Sequence, residues 1–166
     1  MTTAQALRQA MSKFATGVAI ISTLAPDGAP HGMTANALTS VSLEPPLLLV
    51  CIAHNRNTYG YVRVQQRFGV NFLSQGQAAI ARYFAREPKE RLGDVAVPWQ
   101  VSGAASPRLD GALAFMDCRV VAMHDHGDHA IVVAEVDDVS VGGGVPLLYY
   151  ERQLFAMDNG VPSPGL

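Results

Sequence analysis

Strand-like segments follow one another through most of this chain without the regular alternation with helices that a parallel sheet requires, and that order narrows the fold most. Gly17 to Leu24 (GVAIISTL) is rich in β-branched residues and is followed by the turn chemistry of Pro26-Asp27-Gly28. A return strand begins near His31, and after Pro45-Pro46 the apolar run Leu47 to Ala53 predicts a buried strand. Arg67 to Leu73, Ala112 to Met123, Ala130 to Val141 and Leu147 to Met157 complete the strand set. Helices are expected over Thr2 to Phe14, Asn57 to Gln66 and Gln77 to Ala85, the first with capping-box spacing between Thr2 and Gln5. Glu87 to Ser106 carries Pro88, Gly93, Pro98 and Gly103 and predicts a loop. The fold class is therefore mainly β with helical additions, a barrel rather than a doubly wound sheet. No Gly-x-Gly-x-x-Gly follows the first strand and no Walker loop occurs, so neither phosphate-binding device is available.

A length of 166 residues suits one domain, expected over 1–158, with 159–166 as a flexible tail. The balance of 12 Lys plus Arg against 14 Asp plus Glu provides no basic field for nucleic acid or an anionic membrane. Neither a membrane span nor a signal-peptide pattern is visible, so a cytoplasmic location is expected. With 49% hydrophobic and 16% charged residues, the chain has apolar surface to place in a subunit interface. Cys51 and Cys118 are too few for a disulfide framework; both lie in apolar strand patterns and read as buried, reduced thiols.

Two constellations could carry chemistry. His31 to Ser42 packs Thr34, Asn36, Thr39, Ser40 and Ser42 among small apolar residues. Such a wall is either a polar strand edge or a surface for a flat heteroaromatic ligand, because small side chains permit close approach while hydroxyls and amides match a donor–acceptor edge. His124-Asp125-His126-Gly127-Asp128-His129 spells a zinc-ligand motif of metallo-β-lactamase-like hydrolases. That chemistry needs further His and Asp ligands downstream, and no histidine follows His129. A polar hairpin tip accounts for the same residues, since Gly127-Asp128 favours a tight turn, and His129 opens the next strand.

Five ordered blocks resemble the flavin reductase-like family, the NAD(P)H:flavin oxidoreductases that serve two-component flavin-dependent monooxygenases. They are Phe14-Ala-Thr-Gly-Val-Ala-Ile-Ile; Gly32-Met-Thr-Ala-Asn with Thr39-Ser-Val-Ser-Leu-Glu-Pro-Pro-Leu; Arg67-Phe-Gly-Val-Asn-Phe-Leu; Gly127-Asp-His; and Pro146-Leu-Leu-Tyr-Tyr. The resemblance implies an FMN-binding split β-barrel of Greek-key type, usually a homodimer with flavin near the subunit interface. It implies that Thr34, Ala35 and Asn36 meet the flavin ring, with Ser40 and Val41 beside them and Cys51 beneath. It implies that Asn57 and Thr58 lie on the phosphate side, although this chain has Arg56-Asn57-Thr58 where the family usually shows Ser-x-Ser or Ser-x-Thr. Phe84 and Arg91 resemble positions near the far end of the cofactor. His129 resembles the histidine beside the nicotinamide, and Tyr149 and Tyr150 resemble aromatic positions near the dinucleotide. Where the family often has Arg-Gly, this chain has Glu151-Arg152, and a positive charge displaced by one residue in a strand faces the opposite side.

The implied function is hydride transfer from NADH or NADPH to FMN or FAD, with reduced flavin passing to a partner monooxygenase. No acid–base pair or metal is required for it, and His129 would orient the nicotinamide rather than abstract a proton. Two other classes stay open at this point: a flavin-binding carrier or redox sensor on the same barrel, and a zinc hydrolase using the histidine-rich stretch.

Overall fold

A computed structural model describes residues 1–103 and 105–157; the expected tail lies outside them. Seven antiparallel strands form the main sheet: β2 (Ala19–Leu24), β3 (Pro30–Ala35), β4 (Leu38–Leu43), β5 (Pro46–Ala53), β6 (Arg67–Phe72), β9 (Ala114–His126) and β10 (His129–Val141). Their spatial order is β3-β2-β6-β9-β10-β5-β4. The two edge strands, β3 and β4, are consecutive in the chain and separated only by Asn36-Ala37. Two linking residues reach about 11 Å at most, so the sheet must curl until its edges approach. The stretch Pro30 to Leu43 pairs with β2 over its first half and with β5 over its second, which gives a barrel with a split.

A second sheet joins β1 (Thr16–Gly17), β11 (Leu147–Tyr150) and β12 (Gln153–Ala156), while β7 (Trp99–Gln100) pairs with β8 (Arg108–Leu109). The helices are α1 (Thr3–Met11), α2 (Asn57–Gln65) and α3 (Ala78–Ala85). No described helix is long and apolar enough to cross a membrane.

Two hydrophobic clusters meet at β2. Ala19 and Ile21 face the barrel core with Val50, Ile52, Phe68, Val70 and Val132, whereas Val18 and Ile20 face a second core with Leu73, Ile80, Phe84 and Leu147. A strand covered on both faces reads as a continuous apolar run, which explains GVAIISTL. By contrast, Leu47 to Ala53 is buried on one face only: Leu48, Val50 and Ile52 enter the core while Leu47, Leu49 and Cys51 are half-exposed. Cys51 is thus not buried as expected. Cys118 is, and burial followed by Asp117 and Asp137 pushes its thiol up to about 12, leaving it inert.

The Thr2–Gln5 capping box forms as the sequence predicts, but α1 buries no residue. Its Leu7 and Met11 are 61% and 57% exposed, and Phe14 just beyond is 66% exposed. Leu147 to Met157 is two strands rather than one. Glu151 and Arg152, at φ 47° and 65°, are the central residues of a two-residue turn in which Tyr150 pairs with Gln153. The strand alternation expected to flip the Arg152 charge therefore does not apply.

Candidate functional site

The cavity that collects the small polar wall is built from three directions. β3 supplies Thr34 and Ala35, with Asn36 just after it; α3 supplies Ala81, Arg82 and Ala85; the β11–β12 ribbon supplies Tyr149, Arg152, Gln153 and Leu154. Arg56 stands at the remaining side, and the volume is about 600 Å³, within the range of small-molecule sites.

Gly32 sets how closely α3 lies on β3. A Cβ there would fall 2.9 Å from Ile20 Cγ2 and 3.0 Å from Phe84 Cε1, so only glycine lets the Phe84 ring pack onto the strand. Next to it, the Thr34 hydroxyl donates to the Ala81 carbonyl at 2.7 Å, locking helix to strand. Asn36 Nδ2 donates to Thr16 Oγ1 at 3.1 Å, which fixes the amide at the cavity mouth. Arg91 closes the far end of α3, donating to the Phe84 and Arg86 carbonyls while its guanidinium lies 5.0 Å from the Phe84 ring centroid. Phe84 is buried in the second core, and neither it nor Arg91 lines the cavity.

Below α2 lies a half-buried histidine. His31 Nε2 and Thr58 Oγ1 are 3.0 Å apart, and the His31 ring meets Tyr61 edge-on at 4.9 Å. Burial, followed by the Arg91 charge, lowers the His31 pKa to about 4, so the ring is neutral at physiological pH. The Thr58 hydroxyl is therefore already engaged, and its buried side chain does not face the cavity. Asn57 opens α2 after Arg56, which makes no side-chain cap bond and instead pairs with Glu87.

The remaining predicted residues lie elsewhere. Ser40 and Val41 are exposed on β4, where Val41 is the extra residue of a bulge between Ser40 and Ser42. Cys51 lies opposite Ile131 on the half-exposed face of β5. Tyr150 neighbours Tyr149 on β11, and alternation turns it to the other face. His129 pairs with His126 across the tight turn in which Gly127 takes φ 60°, and its Nδ1 donates to Asp128 Oδ1 at 2.7 Å. That bond, with a smaller attraction from Arg8 on α1, holds the Asp128 carboxyl below its ordinary range. Asp125 accepts from His54 Nε2 at 3.0 Å and from Tyr59 at 3.3 Å. Among the described residues no three His, Cys, Asp or Glu side chains converge as a metal site, the histidine-rich tip included.

Thr34, Ala35, Asn36 and Tyr149 are thus brought together, whereas Ser40, Val41, Cys51, Asn57, Thr58, Phe84, Arg91, His129 and Tyr150 do not line this cavity. Sequence reasoning assigned no role to Arg56 or Arg82 and turned the Arg152 charge to the opposite face, yet all three line the cavity. Each comes from a different element, and no local spacing joins them.

The chain is 41% identical over 143 residues to the reductase component of 4-nitrophenol 4-monooxygenase/4-nitrocatechol 2-monooxygenase of Rhodococcus opacus, covering 86% of this chain and 75% of that protein. It is 38% identical over 146 residues to an NADH-dependent flavin reductase of a Rhodococcus species, covering 87% and 81%. It spans under half the length of two further curated relatives, 47% and 42%. The solved structure of flavin reductase PheA2 in its native state superposes with a TM-score of 0.86 at 36% identity, over 96% of this chain and all of that one. The family model described as the flavin reductase like domain matches residues 11–158, and the chain belongs to that family.

Proposed function

We propose that this chain is an NAD(P)H:flavin oxidoreductase that supplies reduced flavin to a partner monooxygenase. The observation that carries the reading is the cavity itself: an uncharged, small-residue wall at Thr34-Ala35-Asn36, three arginines, and no carboxylate in the lining. Such a lining fits a flat ring with a donor–acceptor edge and an anionic side chain, as FMN or FAD presents. The reductase-component and NADH-dependent flavin reductase names of the relatives support the same assignment.

When bound, the flavin supplies the acceptor for a hydride from the nicotinamide. The chain's own residues position and shield. β3 is an edge strand, so the backbone groups turned away from β2 are free to meet a ring edge. Thr34 and Asn36 are each held by a hydrogen bond of their own, which pre-organises that wall. Asn57 and Thr58 would present backbone N–H groups near the anion, with Arg56 beside them. Phe84 and Arg91 keep α3 in place behind the wall. His129 would orient the nicotinamide: its Nδ1 is committed to Asp128, leaving Nε2 to face a ligand.

Ser40, Val41 and Cys51 would join the site in a homodimer. A nine-residue helix is marginal alone, and α1 shows Leu7 and Met11 to solvent, an arrangement that a second copy would cover. Free cysteines and a demand for reduced nicotinamide suit the cytoplasm.

The test crosses FMN and FAD with NADH and NADPH and follows nicotinamide absorbance. Flavin-dependent consumption is expected, with His129→Ala lowering turnover or raising the KM for NADH while flavin affinity holds. Flavin binding without consumption in any pairing would instead make the protein a carrier. A sedimentation run on the wild type and Leu7→Glu completes it: a dimer mass that halves in the variant is expected, and a wild-type monomer would remove the interface.

A further inference from the structure

The pairing of β10 with β5 ends at His129 and Ala53, so the turn Gly127-Asp128 lies just beyond the sheet. Hairpin tips of that kind are ordered only as far as something ties them down. Three contacts hold this one. The His54 N–H donates to the Asp128 carbonyl at 3.0 Å. Asp125 Oδ1 accepts from His54 Nε2 at 3.0 Å and from the Tyr59 hydroxyl at 3.3 Å, and the His54 and Tyr59 rings lie 4.8 Å apart, tilted by 57°. Asp125 is thus gripped from two places, the residue that follows β5 and the first turn of α2.

Strand alternation separates this grip from the side on which His129 stands. Asp125 pairs with Ala130, which is buried in the barrel core, whereas His129 pairs with Ala53 and Ile131 with Cys51. Paired residues share a face and successive residues alternate, so His129 stands on the half-exposed outer face with Cys51, about 7 Å further along. Asp125 stands on the opposite face. A clamp on Asp125 therefore fixes the hairpin without occupying the side on which His129 would meet a ligand. The bond from His129 Nδ1 to Asp128 cannot replace that clamp, because Asp128 belongs to the same turn and moves with it.

We propose that His54 and Tyr59, acting through Asp125, are positioning residues for His129. The proposal rests on the reading of His129 as the group that orients the nicotinamide, and it goes beyond that reading in naming what fixes the histidine. Hydride transfer depends on placement: a shift of about 1 Å in a positioned group can cost about a hundredfold in rate. At the open end of a hairpin, only contacts to a second element hold a side chain to that tolerance. Tyr59 supplies such a contact from the turn of α2 that begins with Asn57 and Thr58. One clamp thus joins the segment proposed for the flavin phosphate to the histidine proposed for the nicotinamide.

The test measures NADH kinetics at saturating FMN or FAD, with flavin titrations alongside, in the wild type, Asp125→Ala, Asp125→Asn, Tyr59→Phe, His129→Ala and the double variant Asp125→Ala with His129→Ala. Asp125→Ala is expected to lower kcat/KM for NADH about three- to tenfold, the worth of one or two hydrogen bonds, with flavin Kd unchanged. Asp125→Asn keeps an oxygen that can accept both bonds and should recover most of the loss. Tyr59→Phe keeps the ring, gives up one bond and should show a smaller loss. In the double variant the Asp125 change should cost nothing beyond His129→Ala, because its only route to the reaction is gone. Unaltered NADH kinetics in Asp125→Ala, losses that multiply in the double variant, or an equal weakening of flavin binding would overturn the proposal while the reductase reading stands. Wild-type kinetics in His129→Ala would remove the histidine's role and the proposal together, and only a wild type that consumes no NADH with either flavin would sink the reductase reading itself.

Discussion

Thr34 and Ser40 are small hydroxyl residues on the same barrel-closing stretch, yet they live in different physical worlds. Thr34 is half-buried, bonded to the Ala81 carbonyl and part of a cavity wall; Ser40 is exposed on β4 beside a bulge. Around Thr34, Gly32 seats the Phe84 ring and Asn36 bonds Thr16. Around Ser40 lie Val41 and Leu43, apolar and 50% and 87% exposed. The first half of the stretch is a packed wall, while the second is open to solvent. Composition alone does not separate them, because what differs is the element packed on top.

That contrast can be broken at its most crowded point. Gly32→Val would drive methyl groups into Ile20 and Phe84 and lift α3 from β3, at a cost of about 3 kcal/mol in urea unfolding together with loss of flavin binding. A variant of wild-type stability would show that the helix is not seated by the glycine.

A smaller effect is expected from acid. The folded His31 pKa of about 4 lies below its ordinary 6.5, so the unfolded chain takes up the proton first. Stability therefore falls as pH drops from 6.5 through about 4 and levels off below. The total is about 1–2 kcal/mol once residual solvent contact is allowed for. Urea midpoints at pH 7, 5.5 and 4 should show this slope in the wild type and lack its histidine share in His31→Gln; parallel curves would mean that the ring is not desolvated.

The finest comparison returns to the two hydroxyls. Thr34→Val should cost about 1 kcal/mol, the worth of one hydrogen bond, whereas Ser40→Ala should change stability by less than about 0.5 kcal/mol. Equal losses would erase the distinction between wall and uncovered surface.

Much of the fold was legible because local chemistry and tertiary need agree. The Thr2–Gln5 box caps α1, Pro26-Asp27-Gly28 turns with Gly28 at φ 81°, and the doubly covered β2 reads as an unbroken apolar run. The β11–β12 turn was illegible because Glu-Arg is not turn chemistry; the Lys13 and Ser12 contacts that hold Glu151 come from far away in the chain. The candidate site divides along the same line. Thr34 to Asn36 form one continuous segment and could be singled out, and family resemblance added Tyr149. Arg56, Arg82 and Arg152 meet only through the fold. The half-burial of Leu47 to Ala53 was hidden for a related reason, since a strand whose half-exposed outer face is also apolar looks in sequence like a core strand.

One uninterrupted length of backbone hems both rims of the barrel, and its middle carries the cavity wall. Prising the rims apart and deforming that wall are accordingly a single movement. A guest seated along the seam would act as a rivet, and its occupancy would tighten the whole shell against opening on heating.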